Sequence, residues 1–439
     1  MIILIGGPTA IGKTKFVDLL IEKGSGRFAR PESYTTRPRR KGEGEKELKF
    51  VSQKEFWEMF RRGEFLTVDK AYGNYYAMTK ASIHHLLREK KIIVKEIHPK
   101  NHKKIKALVK NDVLSVILLP RDVGAFLDAL KASHGVRSED DIKRINEDKE
   151  FYSSREVIGI ADVILLVERM IPLERILERF YREISWIERM KDIRYMEKVN
   201  IDGYDAVATE FDDTHRITTA NFHDLSYTFF ESQIEDAKTN LDAVLDVGSG
   251  RGFLLEVLRR QTMGRVTCLD SSIRMLISEE YRDSIRSIRR VAGSAWWLPF
   301  KADSFSLLTA SLADPFLNYQ SLQEMRRVLR PGGTLLLSIP TNLWAKTLRA
   351  IAGLPSVTTE FRLSSGDVAQ VVSLTYSESE LKDMLKRNRL EVVQFQTVYA
   401  GALRSHKRPI SPAISIVSET FRIPLDELPL LYLVRARAA

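Results

Sequence analysis

A single cysteine, Cys268, occurs among 439 residues. That excludes a disulfide framework and a cysteine-built zinc site, and it points to a reducing, cytoplasmic compartment. No apolar run approaches the ~18 residues that cross a bilayer, so no membrane partner is expected. Proline (15) and glycine (23) are too scarce for a collagen-like or low-complexity chain. The apolar opening Met1–Ile5 is too short for a secretory leader and reads as a buried strand. What remains is globular: 44% apolar and 29% charged residues, enough for sizeable cores. At roughly 100–200 residues per domain, two or three domains are expected.

Charge is unevenly placed. Residues 1–190 hold 37 Lys/Arg against 28 Asp/Glu, while residues 191–439 hold 31 against 30. The first half therefore suits an anionic ligand, either nucleic acid or a phosphorylated small molecule, unless its basic face is merely solvated. No aromatic platform for RNA is visible, which makes nucleic acid the weaker candidate.

Two glycine-rich strand–turn–helix signals, near 6–14 and 246–252, each open an alternation of strands and helices. Such alternation predicts two tandem parallel-sheet α/β domains. Strands are expected at Ile2–Ile5, Lys91–Glu96, Val113–Leu119 and Val163–Val167 in the first half. In the second they are expected at Ala243–Val247, Val266–Leu269, Phe305–Ser311, Thr334–Ser338, Leu390–Val398 and Leu430–Arg435. Pro331-Gly332-Gly333 reads as a turn between helix and strand. Leu173, Ile176, Leu177, Phe180, Tyr181 and Ile184 lie at helical spacing after Pro172. This predicts a closing helix that continues to about Asn200. The expected layout is a first domain over 1–185, a helical connector over 186–202 and a second domain over 203–439.

Gly7-Pro8-Thr9-Ala10-Ile11-Gly12-Lys13-Thr14 fits the phosphate-loop pattern and comes directly after an apolar strand. Glycines let backbone N–H groups turn toward a polyphosphate, and the next helix adds its positive end. Lys13 then reaches the outer phosphates and Thr14 holds Mg²⁺, so ATP binding by Gly7, Gly12, Lys13 and Thr14 is expected. Three further blocks are Ser33-Tyr34-Thr35-Thr36-Arg37-Pro38-Arg39-Arg40, then Gly63-Glu64-Phe65-Leu66, then Gly73-Asn74-Tyr75-Tyr76. In this order and spacing, Met1 to about Glu168 resembles a guanylate kinase.

The resemblance implies a P-loop core, a nucleotide-binding lobe and a mobile lid. It assigns the acceptor phosphate to Arg37, Arg40 and Tyr76, and a lid arginine to Arg144, with Lys131, Arg137 and Lys143 as other local cations. Lys13, Arg37, Arg40 and Arg144 are thereby the expected catalytic cations. Glu96 is the expected carboxylate near the metal and its waters. Departures from the family matter as much. The guanine-reading glutamate is Thr67, a serine is Met78, an aspartate falls near His98, and a phosphate-binding tyrosine is Leu48. Only Ser33 of the guanine-reading set is kept. Guanine's N–H groups want acceptors, and spoiling such pairing forfeits selectivity. An acceptor contacted by Ser33, Arg37, Arg40, Tyr76 and His98 is expected to be a nucleotide or phosphorylated sugar. The dense cations His98, Lys100, His102, Lys103 and Lys104 suit extra negative charge, or else are a basic surface.

Val244-Leu245-Asp246-Val247-Gly248-Ser249-Gly250-Arg251-Gly252 forms the second turn. Asp246 before the turn distinguishes it from a dinucleotide site, where pyrophosphate must fit. The next strand ends in Asp270, placed to accept from ribose hydroxyls. Gly293-Ser294-Ala295-Trp296-Trp297-Leu298-Pro299-Phe300 and Leu329-Arg330-Pro331-Gly332-Gly333 come next in order. Residues from about Gly203 to Arg437 thus resemble a class I S-adenosylmethionine-dependent methyltransferase. The resemblance implies a seven-stranded, mostly parallel sheet with helices on both faces. It places the donor against Asp246, Gly248, Ser249, Gly250, Asp270, Ser271, Ala295 and Trp296, and a covering helix near Tyr204–Phe211. Trp296 and Trp297 also fit plain core packing. An activated sulfonium needs mainly alignment from the protein. Should the acceptor be a hydroxyl, His215, His223 and Asp314 are candidate bases.

Together these features read as a bifunctional transferase using ATP, Mg²⁺ and S-adenosylmethionine on small molecules. Two alternatives stay open: a genuine GMP kinase with an appended methyltransferase, and a methyltransferase carrying a non-catalytic nucleotide-binding module.

Overall fold

The computed structural model describes the chain except residues 40–47, 72, 110–112, 134–138, 169–170, 212–215, 237–241, 262–264 and 278–287. The chain divides into two compact units, Met1–Tyr181 and Arg182–Ala439.

The first unit carries β1 (Ile2–Gly6), β2 (Phe28–Ala29), β3 (Ser33–Thr35), β4 (Leu48–Phe50), β5 (Phe65–Ala71), β6 (Asn74–Thr79), β7 (Ile92–Glu96), β8 (Val113–Pro120) and β9 (Val163–Val167). Its core sheet runs β2-β7-β1-β8-β9, and every pairing in it is parallel. Strand β1 is an unbroken apolar run because both of its faces are covered, and Ile2, Ile3, Leu4 and Ile5 are all buried. Helix Lys13–Lys23 packs against β7 and β2 of this sheet, with Phe16 edge-on to Phe180 at 5.5 Å. A second, smaller sheet runs β4-β3-β6-β5. Its short strands were invisible to hydrophobic periodicity because they carry polar residues on the face that bears the site.

The second unit carries β10 (Ala243–Val247), β11 (Arg265–Asp270), β12 (Ile288–Ala292), β13 (Phe305–Ala310), β14 (Leu329–Pro340), β15 (Thr358–Arg362), β16 (Val368–Val372), β17 (Leu390–Tyr399) and β18 (Pro429–Ala438). Seven of them form one sheet in the order β12-β11-β10-β13-β14-β18-β17. The strands from β12 through β14 pair in parallel, and β18 is antiparallel to both β14 and β17. Leu322, Met325, Leu381 and Leu385 from two helices pack into the core cluster on this sheet. Helix Ile217–Asp236 contributes buried Phe230 and Ile234 and contacts β14 and β18. The expected α/β class with two parallel-sheet units is what the chain adopts.

Three details differ from expectation. The helix after Pro172 ends at Arg189, and a new one starts at Ile193, capped by the Asp192 side chain. The stretch 186–202, expected as a helical connector, is two helix segments within the second compact unit. Asn200 in it bridges the carbonyl of Pro315 (2.7 Å) and the N–H of Val372 (2.9 Å). Gly203, expected near a domain start, lies inside that helix, and a Cβ there would come within 2.4 Å of the Gln370 carbonyl. Pro331-Gly332-Gly333 sits within β14 as an irregularity, because Phe305 pairs with Leu329 but Leu307 with Thr334. Strands β12, β15 and β16 were not expected; β12 is an edge strand on which Arg289, Arg290 and Ala292 are exposed.

Candidate active sites

The phosphate loop leaves β1 and enters helix Lys13–Lys23 at Gly12. Lys13 folds back over the loop and donates to the carbonyls of Gly7 (2.7 Å) and Pro8 (2.8 Å). Burial pushes its ammonium down to about 8; Asp148 and Glu96 oppose the shift and Arg144 adds to it. The expected lid cation Arg144 thus lies within electrostatic reach of Lys13. Helix Glu139–Tyr152 braces the loop from the side: Thr9 N–H donates to Asp148 (2.6 Å) and Gly7 N–H to the Tyr152 hydroxyl (3.2 Å).

Neither Asp148 nor Tyr152 was singled out from sequence. Both are ordinary helix residues whose role exists only once the lid helix is docked. Arg30 was also missed. It donates to Glu96 (2.6 Å), Asp18 (2.6 Å) and the Thr14 carbonyl (3.3 Å), and so fixes the carboxylate expected near the metal. Glu96 at the end of β7 and Thr14 at the helix start are both tied to Arg30. The pair fits a cation held through phosphate oxygens and water rather than by a cage of side chains.

Of the residues expected to meet the acceptor, Ser33 and Tyr76 sit on the small sheet. Across its strands Asp69 pairs with Tyr76 and Tyr76 with Thr35, while Thr67 pairs with Met78 and Met78 with Ser33. Paired residues of a sheet point to one face, so these six share it. Arg37 lies just after β3, 5.1 Å over the Phe50 ring. Arg40 lies outside the described residues. Ser33 is buried and donates to the Pro31 carbonyl (3.1 Å). Met78 is buried in an apolar cluster with Ile2, Leu4 and Ile93.

Asp69 was not anticipated. It is 6% exposed, and neither its Oδ1 nor the Thr67 hydroxyl makes a hydrogen bond of ordinary geometry among the described residues. Burial pushes its carboxyl up, with Lys104 and the nearby Thr67 hydroxyl opposing.

The dense cationic patch separates into distinct roles. His102 is fully buried, bonded to Ser115 (2.5 Å) and the Ile97 carbonyl (3.2 Å), and burial lowers it to about 3, so it is a neutral core residue. His98 packs on Phe151 (4.8 Å) and Tyr152 (6.0 Å), beside the phosphate loop. Burial lowers its pKa, with Asp148 opposing. Lys100 lies over the Phe151 ring and Lys104 donates to the Val68 carbonyl (3.1 Å).

In the second unit one cavity of about 790 Å³ opens at the carboxyl ends of β10, β11, β13 and β14, where open α/β sheets bind ligands. All eight residues expected to hold the donor line it. Gly248 has φ +66°, and a Cβ there would come within 2.3 Å of the Phe316 ring, so only glycine allows this turn to close on Phe316. Asp246 is buried and accepts from Thr309 (2.6 Å). Burial pushes it up to about 7, against the Thr309 bond and with help from Asp270. Asp270 accepts from Gly250 N–H (2.9 Å) and Ser272 N–H (2.8 Å), and burial pushes it up to about 6 against those bonds. Ser272 in turn caps the next helix through Met275 N–H. Asp270 therefore braces the glycine turn as well as facing the cavity.

Trp296 serves both readings: it packs with Met196 and Val372 and also lines the cavity, with Nε1 unbonded among the described residues. Trp297 is 47% exposed. Tyr204, Phe211 and Phe361 form a cluster of rings 5.9–6.2 Å apart over the cavity. The buried carboxylates of Asp246 and Asp270, a glycine turn and this apolar cover fit a cationic, hydroxyl-bearing donor. Of the candidate bases, His215 lies outside the described residues and His223 stacks on Phe253 at 4.0 Å. Asp314 lines the cavity and accepts from Ser373 (2.5 Å).

No helix among the described residues is long and apolar enough to cross a membrane. Residues 1–165 match the guanylate kinase family, and residues 245–337 match a methyltransferase domain. A guanylate kinase of Symbiobacterium thermophilum is 29% identical over 146 residues, covering 33% of this chain and 67% of the relative. A ubiquinone/menaquinone biosynthesis C-methyltransferase of Nitrosospira multiformis is 24% identical over 221 residues, covering 46% and 88%. Among solved structures, a Haloferax volcanii methyltransferase in complex with the Trm112 methyltransferase activator is 19% identical with a TM-score of 0.35, covering 54% of this chain and 98% of that one. The chain is thus a transferase that joins a guanylate kinase-like N-terminal domain to a C-terminal methyltransferase domain.

Proposed function

We propose that the first domain transfers the γ-phosphoryl group of ATP to a nucleotide or phosphorylated sugar, and that the second methylates a small molecule. Thr14, with Glu96 behind it, would hold Mg²⁺, and Lys13 and Arg144 would neutralise the transferring phosphates. Arg37, Arg40 and Tyr76 would grip the acceptor phosphate, because guanidinium forks match phosphate oxygens. Phosphoryl transfer needs positioning and charge neutralisation more than covalent chemistry, and this residue set supplies both. The observation that carries the acceptor reading is Met78. It is buried in an apolar cluster at the position where the resemblance would put a serine.

In the second domain Asp270 would accept from the donor ribose, and the turn from Gly248 to Gly250 would face its amino-acid end. Mg²⁺ and ATP supply the electrophile in one domain; the sulfonium supplies it in the other. The protein's own part is to bind, align and exclude water. The division of labour would match the expected segments 1–185 and 203–439.

Asp69 favours a second reading. It offers a buried carboxylate on the sheet face of Thr67, one step from the family's glutamate, and would let a genuine GMP kinase read guanine differently. Steady-state phosphotransfer with nucleoside monophosphates and sugar phosphates separates the two. The first reading expects GMP to be a poor acceptor. A GMP kcat/KM of about 10⁴ M⁻¹s⁻¹ or more, above every other acceptor, establishes the second.

A further inference from the structure

The cavity of the second unit has two halves. One is the donor turn after β10 and the end of β11. The other lies at the carboxyl ends of β13 and β14 and is walled by Trp344 and Phe222, whose rings meet edge-on at 5.8 Å. Asp314 lines the same cavity. It lies just after β13, which pairs directly with β10, and Phe316 two residues on rests against Gly248 of the donor turn. The aspartate is held in place: Ser373 Oγ donates to its Oδ2 (2.5 Å) and Leu374 N–H to its carbonyl (2.7 Å).

The charged groups around it leave the carboxylate available. Arg349 is buried behind it, but its donors go to the carbonyls of Thr358 (2.9 Å), Ser373 (2.6 Å) and Ser356. Among the described residues no cation forms an ion pair with Asp314. Tyr204, on the other side, is desolvated, and its hydroxyl stays protonated. Burial pushes the Asp314 carboxyl up to about 6, with Ser373 and then Arg349 opposing. A carboxylate of that basicity, on the wall of the cavity that holds the donor turn, suits a general base near neutral pH.

We propose that Asp314 takes the proton of the methyl acceptor, and that the acceptor reacts through a hydroxyl on an aromatic ring. This deepens the methyltransferase reading and rests on it. The acceptor oxygen forms a bond to the donor methyl as the S–CH₃ bond breaks and its electron pair returns to sulfur. The O–H proton passes to Asp314, and the products are a methyl ether and the thioether of the donor. A neutral amine already presents its lone pair and needs no base to begin; a hydroxyl does. The flat walls of Trp344, Phe222 and Phe316 suit an aromatic ring.

The test uses the full chain with S-adenosylhomocysteine and 4-nitrophenol as probe. Binding of S-adenosylhomocysteine to the wild type checks the underlying reading, and its absence overturns that reading and this one together. With that binding in hand, bound 4-nitrophenol is expected to ionise at higher pH than the free phenol, because a carboxylate faces its hydroxyl. In Asp314→Asn the absorbance of bound phenolate is expected at lower pH than in the wild type, with S-adenosylhomocysteine affinity changed less than about threefold. Methyl transfer to a panel of phenols is expected to lose roughly 10²–10⁴-fold in kcat in Asp314→Asn, with KM moved far less. No binding of 4-nitrophenol, an unshifted ionisation in the wild type, methylation of amines but of no phenol, or a kcat within threefold of wild type overturns the proposal. The wild-type spectrum decides the matter even where the variant does not fold.

Discussion

At the scale of single residues, burial of charge decides most of the chemistry. Lys13 is held against its own loop by two carbonyls, which a bound polyphosphate would have to replace. Lys13→Ala is expected to abolish phosphotransfer from ATP while leaving S-adenosylhomocysteine affinity unchanged, as read by coupled assay and calorimetry. Retained ATP turnover contradicts the kinase role. Asp69 separates the two proposed acceptor readings. In a GMP kinase of the second reading, Asp69→Asn is expected to raise KM for GMP at least about tenfold with little change for acceptors lacking N–H donors. An equal effect on all acceptors shows a structural role instead.

Asp246 makes a pH prediction. Its folded pKa of about 7 lies above the ordinary 3.8, so the folded state binds the extra proton between those values. Stability from this group is complete below about pH 4 and is lost as pH rises toward 7. Relative to Asp246→Asn, the wild type is expected to lose stability across that window, by at most about 1.4 kcal/mol per pH unit. Denaturant titrations at several pH values check the slope, and a flat difference refutes it.

Most of these residues were legible for a physical reason. Gly7, Gly12, Lys13 and Thr14 fall within one short loop, and Asp246 to Gly250 are contiguous; a local turn needs no tertiary context to be read. Asp148, Tyr152, Arg30 and Asp69 were not legible, because each acts through a partner that only the fold supplies. Tyr152, for one, stands 145 positions from the Gly7 N–H it accepts.

At the scale of elements, buried apolar strands were the readable part. Strands β1, β9 and β10 stand within a residue of their expected bounds because each is an apolar run between turns. The small sheet β3–β6, the edge strand β12 and the β15–β16 ribbon carry mixed polar patterns, and pairing rather than propensity makes them strands. The helix ending at Arg189 shows the same limit. Periodicity carried the expected helix on to Asn200, whereas Asp192 caps a second helix and ends the first.

That first helix also has a bond its pattern did not announce. Glu183, 3% exposed, accepts from Ser356 N–H (2.8 Å) and from the Ser356 hydroxyl, tying the helix to the loop before β15. Glu183→Ala leaves that N–H without its acceptor. It is expected to destabilise the second unit by about 1.5–3 kcal/mol in chemical denaturation. A change under about 0.5 kcal/mol refutes the role.

At the scale of the whole molecule, the chain carries two turns built on one plan: a glycine turn at the carboxyl end of a parallel strand, feeding a helix. They differ in the groups that surround the turn. The first presents Lys13 and the N-terminus of a long helix, which suit polyphosphate. The second presents buried Asp246 and Asp270, which suit a cationic donor with ribose hydroxyls. We propose that the two turns serve two independent transferase sites. The most direct measurement is a calorimetric cross-titration of the full chain with ATP·Mg²⁺ and with S-adenosylhomocysteine, using wild type, Lys13→Ala and Asp270→Ala. The account predicts that the wild type binds both, that Lys13→Ala weakens only the nucleotide, and that Asp270→Ala weakens only the thioether. A wild type that binds just one of them, or a folded Asp270→Ala protein with unchanged affinity for S-adenosylhomocysteine, contradicts it.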